Sequence, residues 1–236
     1  HEAGHVAFEN ESAQRDTIRV SRRAQHQATR FTSPQLFSES HKPRSRRNLS
    51  IGAEERIALL LAKIEAVSGT TQRIASLDDL PAAVGNYLRA HNLPLALKRG
   101  ADPVLAAAPW EREPALTVMM GATAGDDLVA ISHADGAAAE TGTLVLLSGP
   151  DNPTTLNFLP DNHIVVVAAD TVHGDYESVL AALRDRVGPD GLPRAINLVT
   201  GPSRSADIEQ TLILGAHGPR RLHVILVDRQ ASPNGG

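Results

Sequence analysis

The apolar run Ala195–Val199 is followed by Gly201-Pro202-Ser203-Arg204-Ser205-Ala206-Asp207-Ile208-Glu209, a turn rich in small and hydroxyl residues that closes on two carboxylates. Ile208 and Leu212 then keep helical spacing as far as Gly215. The pattern predicts a strand, a turn and a helix start, with Ser203 or Ser205 as N-cap and Asp207 and Glu209 in the first turn. Such a turn presents backbone N–H groups and the positive end of a helix dipole, which suits an anion. Gly201, Ser203, Ser205 and Asp207 are therefore candidate ligand-binding residues. A plain helix cap would use the same residue types.

Three further segments carry chemical groups. In Ala134-Asp135-Gly136-Ala137-Ala138-Ala139-Glu140-Thr141-Gly142-Thr143, small residues allow a backbone to approach a ligand. Glu140 is a candidate catalytic carboxylate, as nucleophile or base, with Thr141, Gly142 and Thr143 as candidate ligand contacts. The alternative is a tight turn with a surface acid. In Gly215-Ala216-His217-Gly218-Pro219, His217 is a candidate general acid or base, or else a partner for the helix dipole. The run from Asn157 to His163 places His163 at a strand entrance, in a functional or a turn-capping role. His1-Glu2-Ala3-Gly4-His5 matches the H-E-x-x-H zinc pattern, but no preceding residues support its helix, Gly4 weakens it, and no third ligand is evident. No metal site is expected there.

These segments need elements to position them. Ile57, Leu60, Leu61, Ile64 and Val67 predict one helix, 82–90 a second, and Tyr176, Val179, Leu180, Leu183 and Val187 a third that stops at Gly188-Pro189. Leu95–Leu97, Leu116–Met120, Leu128–Ser132, Thr143–Leu147, Ile164–Ala168, Ala195–Val199 and Leu222–Val227 are short apolar runs bounded by turn residues. Their near-continuous apolar character predicts buried strands. The order argues for an α/β fold with a mostly parallel sheet and helices on both faces. Leu128–Ser132 and Thr143–Leu147 are too close for a crossover helix and read as an antiparallel or irregular pair. The 201–205 and 140–143 segments are then expected to share a cleft at the carboxyl edge of the sheet, where Arg204 would neutralise Glu140.

Composition narrows the partners. The 236-residue chain has a formal net charge of −4 and only 3% aromatic residues, which gives no nucleic-acid footprint and no base-stacking platform. It has no cysteine, so no disulfide forms and no thiolate ligates zinc or an iron–sulfur cluster. No run is long and apolar enough to span a membrane, and no secretory leader is evident. Residues 1–50 carry 9 Lys/Arg against 5 Asp/Glu, whereas 51–236 carry 14 against 22. The first part, which lacks apolar periodicity, is expected to be a poorly packed arm or tail. Residues 51–236 are expected to form the α/β domain.

In order, Ala139–Thr143 (A-E-T-G-T), Leu159–His163 (L-P-D-N-H), Gly201–Glu209 (G-P-S-x-S-A-D-I-E) and Gly215–Pro219 (G-x-H-G-P) resemble the LUD domain of the lactate-utilisation protein C family, LutC or YkgG-like. Ser205 stands where that family more often has threonine. The resemblance covers roughly 55–228. It implies a fold like that of sugar-phosphate isomerases and CoA transferases, and a role in oxidising L-lactate to pyruvate beside iron–sulfur partner proteins. Clusters would then sit in those partners, with no cofactor on this chain. The expectation is a cytoplasmic accessory subunit, able to form a homo-oligomer, that binds a small carboxylate or phosphate-containing ligand. The alternatives are a free-standing isomerase or acyl/CoA-transferase-like enzyme, and a regulatory or scaffold protein.

Overall fold

A computed structural model describes residues 52–188, 191, 193–206, 212–214 and 218–229. The expected arm 1–50, with His1 and His5, lies outside these residues, as do Asp207 and His217. Among the described residues, no helix is long and apolar enough to cross a membrane.

The centre is a six-stranded sheet in which every pairing is parallel. Its strands are β1 (Thr70–Ser76), β2 (Ala96–Arg99), β3 (Thr117–Met120), β4 (Val129–His133), β7 (Asn162–Ala168) and β12 (Arg221–Arg229), in the order β1-β12-β7-β4-β2-β3. Every residue of β7 is buried, as expected for a strand covered on both faces.

Alternation along these strands divides the core in two. Ile74, Leu97, Ile131, Val166 and Ile225 face helices α2 (Leu80–Ala90) and α3 (Pro103–Ala107) through Leu80, Val84, Leu88 and Leu105. Val165, Val167, Val224 and Leu226 face helix α1 (Ala53–Ala66) and a second sheet. The spacing Ile57, Leu60, Ile64 gives α1 one buried stripe. Helix α1 ends at Ala66, and Ser68, with a φ of 69°, turns the chain into β1.

The second sheet consists of β5 (Gly136–Ala138), β6 (Thr143–Leu147), β8 (Val172–His173) and β9 (Ile196–Val199), in the order β8-β5-β6-β9. It overturns the expected pairing of Leu128–Ser132 with Thr143–Leu147. The short strand β5, inside the presumed loop, takes β6 as its antiparallel partner, while β4 stays in the parallel sheet. Helix α4 (Thr154–Phe158) precedes β7, and helix α5 (Tyr176–Val187) packs Val179 and Leu183 on the second sheet. Asp175 caps α5 by accepting a hydrogen bond from the Ser178 amide at 2.7 Å.

The expected helix start near Ser205 is also overturned. Arg204–Ala206 is strand β10, paired antiparallel with β11 (Leu212–Leu214). A short apolar run such as Leu212-Ile213-Leu214 suits strand and helix alike, so Ile208 and Leu212 spacing did not decide between them. Among the described residues, Gly201–Ser203 leads into a strand and not into a helix N-terminus.

Candidate active-site cleft

A cleft of about 140 Å³ is lined by residues from four places in the chain. Asn157 comes from α4, and His163 and Leu222 are the second residues of β7 and β12 and pair in register. Thr200, Gly201 and Ser203 follow β9, and Gly218 and Pro219 precede β12. The cleft thus lies at the amino edge of the parallel sheet, not at the carboxyl edge expected from the sequence. The reason is that β9 belongs to the second sheet, and its end reaches the entrances of β7 and β12.

Backbone and side-chain bonds hold the turn after β9. The Ser203 amide donates to the Pro219 carbonyl at 2.8 Å. Arg204 donates to the Val67 carbonyl at 2.9 Å and to the Ser68 hydroxyl. A guanidinium at the carbonyl end of α1 complements that helix dipole. Arg204 therefore anchors the turn to α1 rather than neutralising Glu140.

The floor of the cleft is a buried polar chain. His163, Ser132 and Asn157 are each 2% exposed or less. The Ser132 hydroxyl donates to Asn157 Oδ1 at 2.8 Å, and His163 Nε2 lies 3.1 Å from Ser132 Oγ. Because serine has one proton and gives it to Asn157, His163 Nε2–H must be the donor to Ser132. His163 Nδ1 is then a lone pair. Both His163 Nδ1 and Asn157 Nδ2 are buried and have no partner within the protein. Burial pushes the His163 imidazole down to about 3, so it is neutral at ordinary pH.

The other sequence-selected residues form an adjoining cluster. Thr143 Oγ1 lies 2.9 Å from Thr141 Oγ1, 2.6 Å from the Tyr176 hydroxyl and 2.8 Å from Thr200 Oγ1. Since β6 runs antiparallel to β9, the start of one meets the end of the other, and the 140–143 and 201–203 segments are neighbours. Yet Thr143 is fully buried and one hydroxyl supports only three such contacts. It has no capacity left for a ligand and instead ties α5, β6 and β9 together. Gly142 packs on Lys63 and Ile64 of α1. The Glu140 amide donates to the Gly174 carbonyl at 3.0 Å, and neither Glu140 nor Thr141 is among the cleft-lining residues. Ser205 is in β10, with Asp207 and His217 outside the described residues.

A Thr143→Val variant keeps the shape and removes the shared hydroxyl. It is expected to lose about 1–3 kcal/mol, because the buried hydroxyl that joins Thr141, Tyr176 and Thr200 is gone. At this chain length that lowers the thermal midpoint by roughly 2–12 °C. An unchanged midpoint would show that the cluster contributes nothing to stability.

Ser132 was not singled out from sequence, and Asn157 entered only as the start of the run to His163. The serine that ends the apolar run Leu128–Ser132 was the available signal. Among the described residues, no cluster of three or more His, Asp or Glu has metal-site geometry.

The model of the LUD domain matches residues 57–227. A lactate utilization protein C of a Geobacillus strain is 38% identical over 103 residues, or 43% of each chain. One from Bacillus licheniformis is 32% identical over 128 residues, covering 50% of this chain and 53% of that one. An uncharacterised protein of Neisseria meningitidis serogroup B is 32% identical over 153 residues, covering 62% and 64%. The matches thus span about half the length of these curated relatives. A solved structure of a DUF162 family protein from Deinococcus radiodurans shares the fold with a TM-score of 0.54 and 24% identity, covering 75% of this chain and 99% of its own. With both the ordered motifs and the family model spanning the two sheets and the cleft between them, the chain belongs to the LUD domain family.

Proposed function

We propose that this chain takes part in lactate utilisation by binding a small carboxylate in the cleft beside Gly201 and Ser203, working with partner proteins that carry iron–sulfur clusters. The relatives named lactate utilization protein C support the pathway, and the cleft volume supports the ligand size. The observation that carries the ligand reading is the 140 Å³ volume above an unsatisfied polar floor. A cavity near that volume holds about six non-hydrogen atoms, as benzene in an engineered cavity of similar size. Lactate and pyruvate are of this size, whereas a coenzyme or a nucleotide is far larger. Among the described residues, no lysine or arginine lines the cleft, which favours a singly charged ligand over a doubly charged phosphate.

In this reading Gly201 and Ser203 contact the ligand, and Thr141 and Thr143 hold the turn through Thr200. Electron transfer falls to the partners, because a chain without cysteine offers no thiolates to a cluster. A Ser203→Leu variant places a bulky apolar side chain in the cleft lining. It is expected to abolish growth on lactate in a deletion strain while leaving growth on glucose and the thermal midpoint near wild type. Copurification of the wild-type chain with iron–sulfur proteins tests the partner assignment. Wild-type growth of the deletion strain on lactate would rule the reading out.

A further inference from the structure

We infer that His163 and Asn157 are the specificity pair of the cleft and select a 2-hydroxy carboxylate over its 2-oxo and unsubstituted analogues. The inference rests on the small-carboxylate reading above and adds the group that the protein recognises beside the carboxylate.

The argument is one of unmet hydrogen bonds. Ser132 is saturated on its donor side by Asn157 Oδ1 and accepts from His163 Nε2. Two groups are left over, and both belong to cleft-lining side chains that are 1% exposed. His163 Nδ1 requires a donor, and Asn157 Nδ2 requires an acceptor. Leaving such groups unpaired is unfavourable, so a ligand that meets both gains what the folded chain lacks. A hydroxyl adjacent to a carboxylate offers a donor and an acceptor within one small molecule. A ketone oxygen in place of the hydroxyl offers a second acceptor and puts its lone pairs against the Nδ1 lone pair. A methylene in the same place offers neither.

The polarity of the chain is fixed from within the protein. Because Asn157 Oδ1 takes the only Ser132 proton, the ring cannot turn Nδ1 into a donor without being charged. Among the described residues, no carboxylate partners His163 to favour the charged form. Nδ1 therefore discriminates by accepting, and sites of this kind reject analogues that lack the matching group far more strongly than apolar pockets reject a missing methylene.

The test is calorimetric titration of the full chain with L-lactate, pyruvate and propionate, in the wild type and in a His163→Gln variant. Glutamine keeps an amide nitrogen near the position of Nε2, where it can still donate to Ser132, and removes Nδ1. The expected result is L-lactate binding at least about tenfold more tightly than either analogue, with that ratio collapsing towards one in the variant. Equal affinity for all three ligands in the wild type would overturn the specificity pair while leaving the carboxylate reading intact. Tighter binding of pyruvate would also overturn it. Binding of none would overturn the carboxylate reading itself. If the variant fails to fold, the wild-type series still decides, because the ratio is read without any substitution.

Discussion

Stability is expected to fall steeply as the pH drops from about 6.5 towards 4, with the loss coming mainly from two buried histidines. His163 is 1% exposed and is pushed down to about 3 by burial. His223 is 5% exposed and is pushed down to about 4, first by burial and then by the charge of His91. The His223 ring stacks on Tyr87 with centroids 4.2 Å apart, and its Nδ1 lies 2.8 Å from the Thr70 hydroxyl. In the unfolded chain both rings titrate near 6.5. Between that value and the folded values the unfolded state binds more protons, so the slope of stability with pH is positive. The contribution is complete above the unfolded value and is lost as pH falls through the folded values. Each group supplies up to about 1.4 kcal/mol per pH unit in that window. Over two or more units the pair therefore removes several kcal/mol, which is comparable to the whole stability of a typical domain, about 5–15 kcal/mol. Asp102 adds to the loss at lower pH. Its bond to His133, at 3.3 Å, and the Leu105 amide outweigh its burial and hold the carboxyl below its usual value. Denaturant titrations at stepped pH measure the slope. In His163→Gln the slope between pH 6 and 4.5 is expected to be about half that of the wild type. An identical slope in wild type and variant would show that His163 is not the group that titrates.

The parts of this fold that were legible in the sequence are those with a strong local period. All seven apolar runs are strands, and the three periodic segments starting near Ile57, Ala82 and Tyr176 are helices. What escaped is what has no period. Strand β1 buries only Ile74 among polar and threonine residues, so its sequence does not alternate cleanly. Strand β5 is Gly-Ala-Ala, fully buried and too small to carry a hydrophobic signal, yet it decides that β6 leaves the parallel sheet. That one strand explains why the middle pairing was misread and why the cleft lies at the amino edge. The Gly201–Ser203 turn was recognisable because Gly, Pro and Ser cluster there. The His163–Ser132–Asn157 chain was not, because Ser132 gains its meaning only when β4 is laid beside β7 in register. The same holds for Thr143, whose partners Tyr176 and Thr200 are distant in sequence and adjacent only across the second sheet.

Gly142 belongs to the A-E-T-G-T segment that the sequence offered as a ligand loop, and a single substitution separates that role from a packing one. Its φ is 72°, a region that costs an L-residue about 1–2 kcal/mol. A Cβ there would come within 2.7 Å of Lys63 Cβ and 3.2 Å of the Ile64 amide nitrogen, so it would press on the body of α1 rather than on a mobile side-chain tip. The hairpin cannot retreat easily, because Thr143, the next residue, is held by three hydroxyl contacts. Helix α1 must move instead, and it is pinned by buried Ile57, Leu60 and Ile64. Forcing extra volume into such a contact costs about 1–3 kcal/mol. Gly142→Ala is therefore expected to destabilise the protein by about 2–5 kcal/mol, or roughly 4–20 °C in the thermal midpoint. Gly188 provides the control, since it has the same φ of 72° and nothing within 4 Å of its would-be Cβ. Gly188→Ala should show a backbone cost without a collision, at a ψ of 177° that is itself nearly glycine-only, so a larger loss in Gly142→Ala reports the collision with α1. Saturating ligand stabilises by an amount set by its concentration and affinity, so a packing role for Gly142 predicts equal shifts in wild type and variant. Equal midpoints for Gly142→Ala and Gly188→Ala, together with a ligand shift lost only in the former, would return Gly142 to the binding site.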